Sequence, residues 1–197
     1  MNATNTIPVE THPLKPYLPA NAQILMLGSF PPQKHRWSMD FFYPNFINDM
    51  WRIMGIIFFN NKEEFVDKAH KSFKQNEIES FCKDKGIALF DTASSIRRLK
   101  DNASDKFLEV VESTDIIGLL KQIPECRAIV TTGEKASDTL SALFGVKPPK
   151  IGEYTTVSFD NRILLFYRMP SSSRAYPLAL DKKAEVYGKM MREIGIK

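Results

Sequence analysis

Four short apolar runs punctuate this chain, separated by longer segments in which apolar positions recur every three or four residues. The runs are Ile24–Leu27, Ile87–Phe90, Arg127–Thr131 and Ile163–Tyr167. Each has the length and near-continuous apolar character of a strand buried on both faces in a parallel sheet. After the first, Ile47, Met50, Trp51, Met54 and Phe58 fall at helical spacing, which predicts an amphipathic helix with Asn48 in its first turn. Lys62–Lys85 reads as one or two helices with Phe65, Phe73, Ile78 and Phe81 inward and Gly86 as the stop. Thr114-Asp115 caps a helix to about Ile123, Gly133 leads into one ending near Phe144-Gly145, and Leu178–Ile194 closes the chain as another. Lys147–Gly152 reads as a Pro/Lys-rich connection, and Thr155–Phe159 as an additional short strand.

Residues 1–22 are polar and broken by Pro8, Pro13, Pro16 and Pro19, the pattern of an extended arm laid on a surface. The remainder, 23–197, forms one domain. Strands alternating with helices predict an α/β fold, a parallel sheet covered on both faces.

Composition narrows the class. The chain has 197 residues with 43% hydrophobic and 25% charged side chains, as in ordinary globular domains. Its net charge of +4 permits an anionic partner without demanding one. Basic residues cluster in or near predicted loops: Lys34-His35-Arg36, Arg97-Arg98 with Lys100, Lys147 with Lys150, and Arg168 with Arg174. Cys82 and Cys126 are too few for a four-thiolate cluster and are expected to be buried free thiols. His12 and His35 read as loop residues without a partner and His70 as part of a solvated helix face, so no metal site is expected. The longest apolar run, Ile53–Phe59, is too short to span a bilayer, and no leader pattern precedes Glu10; the expected location is the cytoplasm.

If the four strands are parallel, their carboxyl ends share one edge, where open α/β sheets bind ligands. What emerges there is Ser29-Phe30-Pro31, Asp91-Thr92, Thr132-Gly133 and Pro170-Ser171-Ser172-Ser173. Hydroxyls, a carboxylate, an aromatic ring and a glycine at one crevice suit a small ligand or a nucleotide.

These residues also resemble a family. Gly28-Ser-Phe-Pro-Pro32, Tyr43-Pro44 and Asn48-Asp-Met-Trp-Arg52 are similar to the first-motif region of the uracil-DNA glycosylase superfamily, specifically its DNA-deoxyinosine (hypoxanthine) glycosylase branch. Gly86-Ile-Ala-Leu-Phe-Asp91 with Ser94-Ser95, Asp115–Leu120, Thr132-Gly133-Glu-Lys-Ala136 and Met169-Pro-Ser-Ser-Ser173 continue the resemblance in order, over roughly residues 12–195. It implies a three-layer α/β/α sandwich with a central four-stranded parallel sheet. It also implies hydrolysis of the N-glycosidic bond of a deaminated base, hypoxanthine or uracil, flipped out of DNA. No cofactor or metal is implied, DNA is the expected partner, and a monomer is expected.

The resemblance assigns roles. Asn48 becomes the first catalytic candidate, since an amide can hold water or grip a purine edge; an ordinary helix cap is the alternative. Ser29 stands where many superfamily members carry a water-activating Asp or Asn. Phe30 and Tyr43 are candidates to stack on the base, with Thr132 and Asp91 nearby. Pro170, Ser171, Ser172, Ser173, Arg174 and Tyr176 are expected to contact DNA. Asp40 and Asp91 are reserves for placing water, and Trp51 and Met54 belong to the core.

The chain also departs from the branch's pattern. Thr132 replaces an Asn before the glycine, Met169 a His, and Ser171-Ser-Ser-Arg-Ala-Tyr176 a Ser-Thr-Ser-Pro-Ala-Asn loop. These departures keep two alternatives open: a non-catalytic module that binds damaged DNA, and a hydrolase of free nucleosides or nucleotides.

Overall fold

The computed structural model of the protein describes residues 7–100 and 105–196. Residues 1–6 of the expected arm, and Lys197, lie outside the described residues. Three of the four apolar runs are strands buried at every position: β2 (Ile24–Gly28), β5 (Ile87–Asp91) and β8 (Ala128–Thr132). The fourth is β10 (Arg162–Met169), largely buried.

These strands lie in the order β5-β2-β8-β10 and run parallel, as expected. The sheet has five strands rather than four. Glu153–Phe159 forms β9, antiparallel to β10 at the sheet's edge. A tight turn at Asp160-Asn161, both with positive φ, joins the two. β9 alternates exposed and buried positions, the signature of an edge strand with one solvated face.

Helices flank the sheet: α1 (Met50–Phe59), α2 (Gln75–Lys85), α3 (Ile116–Gln122), α4 (Glu134–Phe144) and α5 (Leu180–Ile194). Helix α5 packs on α1 and β10, α4 on β8, and α2 on β5. Trp51 and Met54 are core residues as expected, and Trp51 Nε1 donates to the Phe42 carbonyl at 3.0 Å. Both cysteines are free and buried. Burial pushes the Cys126 thiol up to about 11, and raises Cys82 as well.

Three expectations need correction. The Lys62–Lys85 stretch is helical only from Gln75; before it, β3 (Val66–Asp67) and β4 (Ser72–Phe73) make a small hairpin. The apolar residues there serve as aromatic anchors rather than a helix face: Phe65 packs on Trp51 and Phe81, and Phe73 on Phe46. His70, in the connection between these two strands, bonds Asp67 and stands on no helix.

The N-terminal arm is structural rather than merely laid on the surface. Its β1 (Val9–Thr11) joins a second sheet with β6 (Ala93–Arg98) and β7 (Leu108–Ser113), in the order β1-β6-β7. Further along, Tyr17 bridges to Leu89 of the main sheet. Arg98 therefore sits in a strand, not a loop. It donates to both carboxylate oxygens of Glu10 at 3.0 Å and to the Pro31 carbonyl at 3.1 Å.

The third correction concerns His12, which has a partner: Asp91, described below. Among the described residues, no helix is long and apolar enough to cross a membrane.

Candidate active site

The strand register builds the site. Gly28 pairs with Asp91, and Met169 with Thr132, so the last residues of all four parallel strands stand side by side. The chain leaves the sheet there through loops that line a cleft of about 1540 Å³. Ser29, Phe30, Tyr43, Asn48, Asp91, Thr132 and all of Pro170–Tyr176 line it. The structure thus brings together every site residue singled out from the sequence. The reserve Asp40 is exposed and paired with Lys34 instead.

Asp91 lies at the inner end of the cleft. His12 Nε2 donates to its Oδ2 at 2.9 Å, and with the proton there, Nδ1 accepts the Leu14 N–H at 3.1 Å. The imidazole is 3% exposed and held by Phe30 (5.2 Å between centroids) and Phe90 (4.5 Å). Gly28 is the residue that permits this. A Cβ there would stand 2.4 Å from Asp91 Oδ1, so any side chain would expel the carboxylate.

Tyr43 bridges the cleft wall. Its hydroxyl lies 3.1 Å from Thr132 Oγ1, which in turn reaches the Leu27 carbonyl at 3.5 Å. The ring packs edge-on to Trp51, and the backbone holds the unfavourable φ of 52°. Burial raises the phenol's pKa, which keeps it a neutral hydrogen-bonding group. Phe30 lines the cleft but is 8% exposed, packed with Ala93, Ile96 and Leu108. Its ring offers little area for stacking, whereas Tyr43 and Tyr176 are partly accessible.

Asp105 was not anticipated. It is partly buried, lines the cleft, and faces the Ser29 hydroxyl. Burial raises its carboxyl pKa above the ordinary value. The Ser29 contact then opposes that rise, the charge of Asp91 adds to it, and Lys135 and Arg98 oppose it again. The result is a carboxylate beside Ser29, supplied from a different element.

Asn48 stands at the cleft's edge just before α1. Its Oδ1 accepts the Met50 N–H at 2.9 Å, the contact of a helix-capping side chain. Its Nδ2 makes no hydrogen bond among the described residues and is available to a ligand. Asp49 follows, and its N–H donates to the Ser172 carbonyl at 2.9 Å. That bond joins the amino end of α1 to the loop after β10. Tyr187 reinforces the seat through a 2.8 Å hydrogen bond to the Pro170 carbonyl. Ser172 is buried, while Ser173 and Arg174 are exposed and Ser171 partly so. The Ser171 and Ser173 hydroxyls accept the N–H groups of Ser173 (3.2 Å) and Ala175 (3.3 Å), which stiffens the turn.

Among solved structures, the chain is similar to the solution NMR structure of a protein from Methanosarcina acetivorans described as a "putative Uracil DNA glycosylase". The TM-score is 0.60 at 21% identity, covering 94% of this chain and 98% of that one. The two share a fold. What they have in common at this identity is the architecture: a parallel-dominated sheet flanked by helices. No family model matches the chain, and no curated protein does.

Within this uracil-DNA-glycosylase-like fold, four residues at or beneath the cleft escaped sequence reasoning: His12, Asp49, Asp105 and Lys183. Lys183 did leave a trace. It stands on the inward stripe of α5 with Tyr187, Met190, Met191 and Ile194, a position where a charged residue needs a buried partner. Asp105, in a polar stretch, left none.

Proposed function

We propose that this protein is a monofunctional DNA glycosylase that hydrolyses the N-glycosidic bond of a deaminated base, hypoxanthine in preference to uracil. The observation that carries the reading is the meeting of Ser29, Asn48 and the Pro170–Tyr176 loop around one cleft. A base in a stacked duplex is out of reach of such a cleft and must be extruded into it. The cleft's volume of about 1540 Å³ exceeds what one nucleoside fills and leaves room for flanking backbone. That favours a polymer substrate over free nucleosides.

The chemistry follows from the side chains present. Water held between the Ser29 hydroxyl and the Asp105 carboxylate attacks C1′ and gives its proton to Asp105. The C1′–N bond breaks, and its electron pair leaves with the base, which is then protonated from solvent. Asn48 Nδ2 donates toward the departing base and stabilises the developing negative charge, a preorganised electrostatic contribution. Tyr43 and Thr132 line the base's side of the cleft, Phe30 closes its wall, and Asp91 braces the inner end. The loop from Pro170 to Tyr176 holds the strand by its backbone, with Tyr176 as the ring placed to stack or wedge. No lysine is placed to form a Schiff base, so the product is an abasic site in an intact strand.

A gel assay on duplexes containing inosine, uracil or xanthine tests the reading. Strand breaks at inosine that appear only after alkali are expected. Binding to lesion duplexes with no base release, at enzyme in excess, would instead identify a non-catalytic module and remove the enzyme assignment.

A further inference from the structure

The Asp49 carboxylate, beside the amino end of α1, is surrounded by three cationic side chains. Lys183 Nζ, fully buried, donates to Asp49 Oδ2 and to the Ser173 carbonyl, both at 2.8 Å. Arg174 donates through Nε to Asp49 Oδ1 at 3.3 Å. Arg52 donates to the carbonyls of Phe46 (2.8 Å) and Asn48 (3.1 Å). Arg52 and Arg174 are close enough to repel, and this repulsion adds to burial in lowering the Arg52 pKa. One negative charge thus faces three positive ones, at the helix end whose dipole is also positive.

The charges are not equivalent. A lysine without any exposure is retained only with a full counter-charge, so Lys183 takes up the charge of Asp49. The excess remains on Arg174, whose side chain is 52% exposed and which lines the cleft. Its bond to Asp49 uses Nε alone. The two terminal amino groups make no hydrogen bond among the described residues, and the Nε bond holds the plane in which they lie.

We infer that this cluster is a phosphodiester-binding site: Asp49, neutralised by Lys183, aims the terminal amino groups of Arg174 at one backbone phosphate of the bound strand. The inference rests on the DNA reading given above. A planar fork with two free N–H-bearing nitrogens matches two phosphate oxygens, and a phosphodiester supplies the negative charge the cluster lacks. Arg174 contacts the phosphate. Lys183 and Asp49 are positioning residues, and Lys183 also fixes the loop through Ser173.

The test is binding of an abasic-site duplex over a salt series, with one neutral methylphosphonate placed in turn at each phosphate around the lesion. One position is expected at which neutralisation weakens wild-type binding about tenfold. In Arg174→Ala that position falls silent, and the salt slope flattens by about one unit. Arg174→Lys keeps the charge but cannot bond Asp49 and present a fork together. It is expected to retain the slope and lose the position-specific effect. Lys183→Met leaves Arg174 as the counter-ion of Asp49, so the same position loses its effect although Arg174 is still present.

A folded Lys183→Met with the position undiminished overturns the proposal. So does an Arg174→Ala protein that responds to every methylphosphonate as wild type does. Should Lys183→Met fail to fold, Arg174→Lys decides, and an undiminished effect there overturns the proposal. Absence of any duplex binding by wild type overturns this proposal and the DNA reading together. Binding indifferent to Arg174 overturns this one alone.

Discussion

His12 Nε2 lies 2.9 Å from Asp91 Oδ2, so the N-terminal arm completes the inner end of a cleft formed by the main sheet. The pair is well shielded, at 3% and 12% side-chain exposure, and the imidazole is wedged among aromatic rings. Removing one member leaves the other without its counterpart in a site where water cannot compensate. His12→Ala is expected to cost about 3 kcal/mol of folding stability, measured by urea denaturation. An unchanged midpoint would mean that the arm is dispensable to the cleft.

Gly28 offers an independent test of the same pair. The side chain that Gly28→Ala adds would press on Asp91 Oδ1 at 2.4 Å and turn the carboxylate away from His12. The loss should be similar to that of His12→Ala. The two substitutions should also be far from additive, since both break one contact. A double variant whose loss equals the sum of the two single losses would show that Gly28 matters for another reason.

The parts of this architecture that were legible share a physical cause. β2, β5 and β8 are buried on both faces, so their sequences are near-continuous apolar runs that polar neighbours delimit. Once they are parallel, their carboxyl ends share an edge, and the residues of the cleft follow from topology. β6 and β7 were not legible. Their sequences, Ala93-Ser-Ser-Ile-Arg-Arg98 and Leu108-Glu-Val-Val-Glu-Ser113, are half-solvated and charged, and read as loop. Missing them meant missing where Asp105 and Arg98 stand. Phe65 and Phe73 misled differently, because their spacing is also a helical one, and only packing on Trp51 and Phe46 separates the two. The His12–Asp91 contact spans 79 positions, and no local pattern encodes such a pairing.

Asp105 connects pH to both activity and stability. Burial raises its pKa, so the carboxylate needed to take a proton from water is lost at a higher pH than an ordinary aspartate would be. Base release should therefore fall on the acid side from above the usual carboxylate range. Asp105→Asn should reduce the rate by about a hundredfold and abolish that limb. The stability effect runs the other way. A carboxyl whose folded pKa exceeds its unfolded value destabilises the fold as pH rises through that window, so Asp105→Asn should melt higher at neutral pH. A variant that is slower yet more stable is the signature to look for. An unaltered pH profile would remove Asp105 from the reaction.

Asn48 has two jobs that a pair of substitutions can separate. Its Oδ1 accepts the Met50 N–H, a capping contact worth about 1 kcal/mol, while Nδ2 is left for the departing base. Asn48→Asp keeps the oxygen acceptor, and a negative charge suits the amino end of α1, so its stability should match wild type. It replaces the donor with a charge that repels the developing anion, so single-turnover base release should fall at least as far as in Asn48→Ala. That loss is expected to be about a hundredfold. Asn48→Ala should in addition lose the capping contribution in thermal melts. If Asn48→Asp releases base at the wild-type rate, the amide nitrogen takes no part in the chemistry, and Asn48 is a helix cap alone.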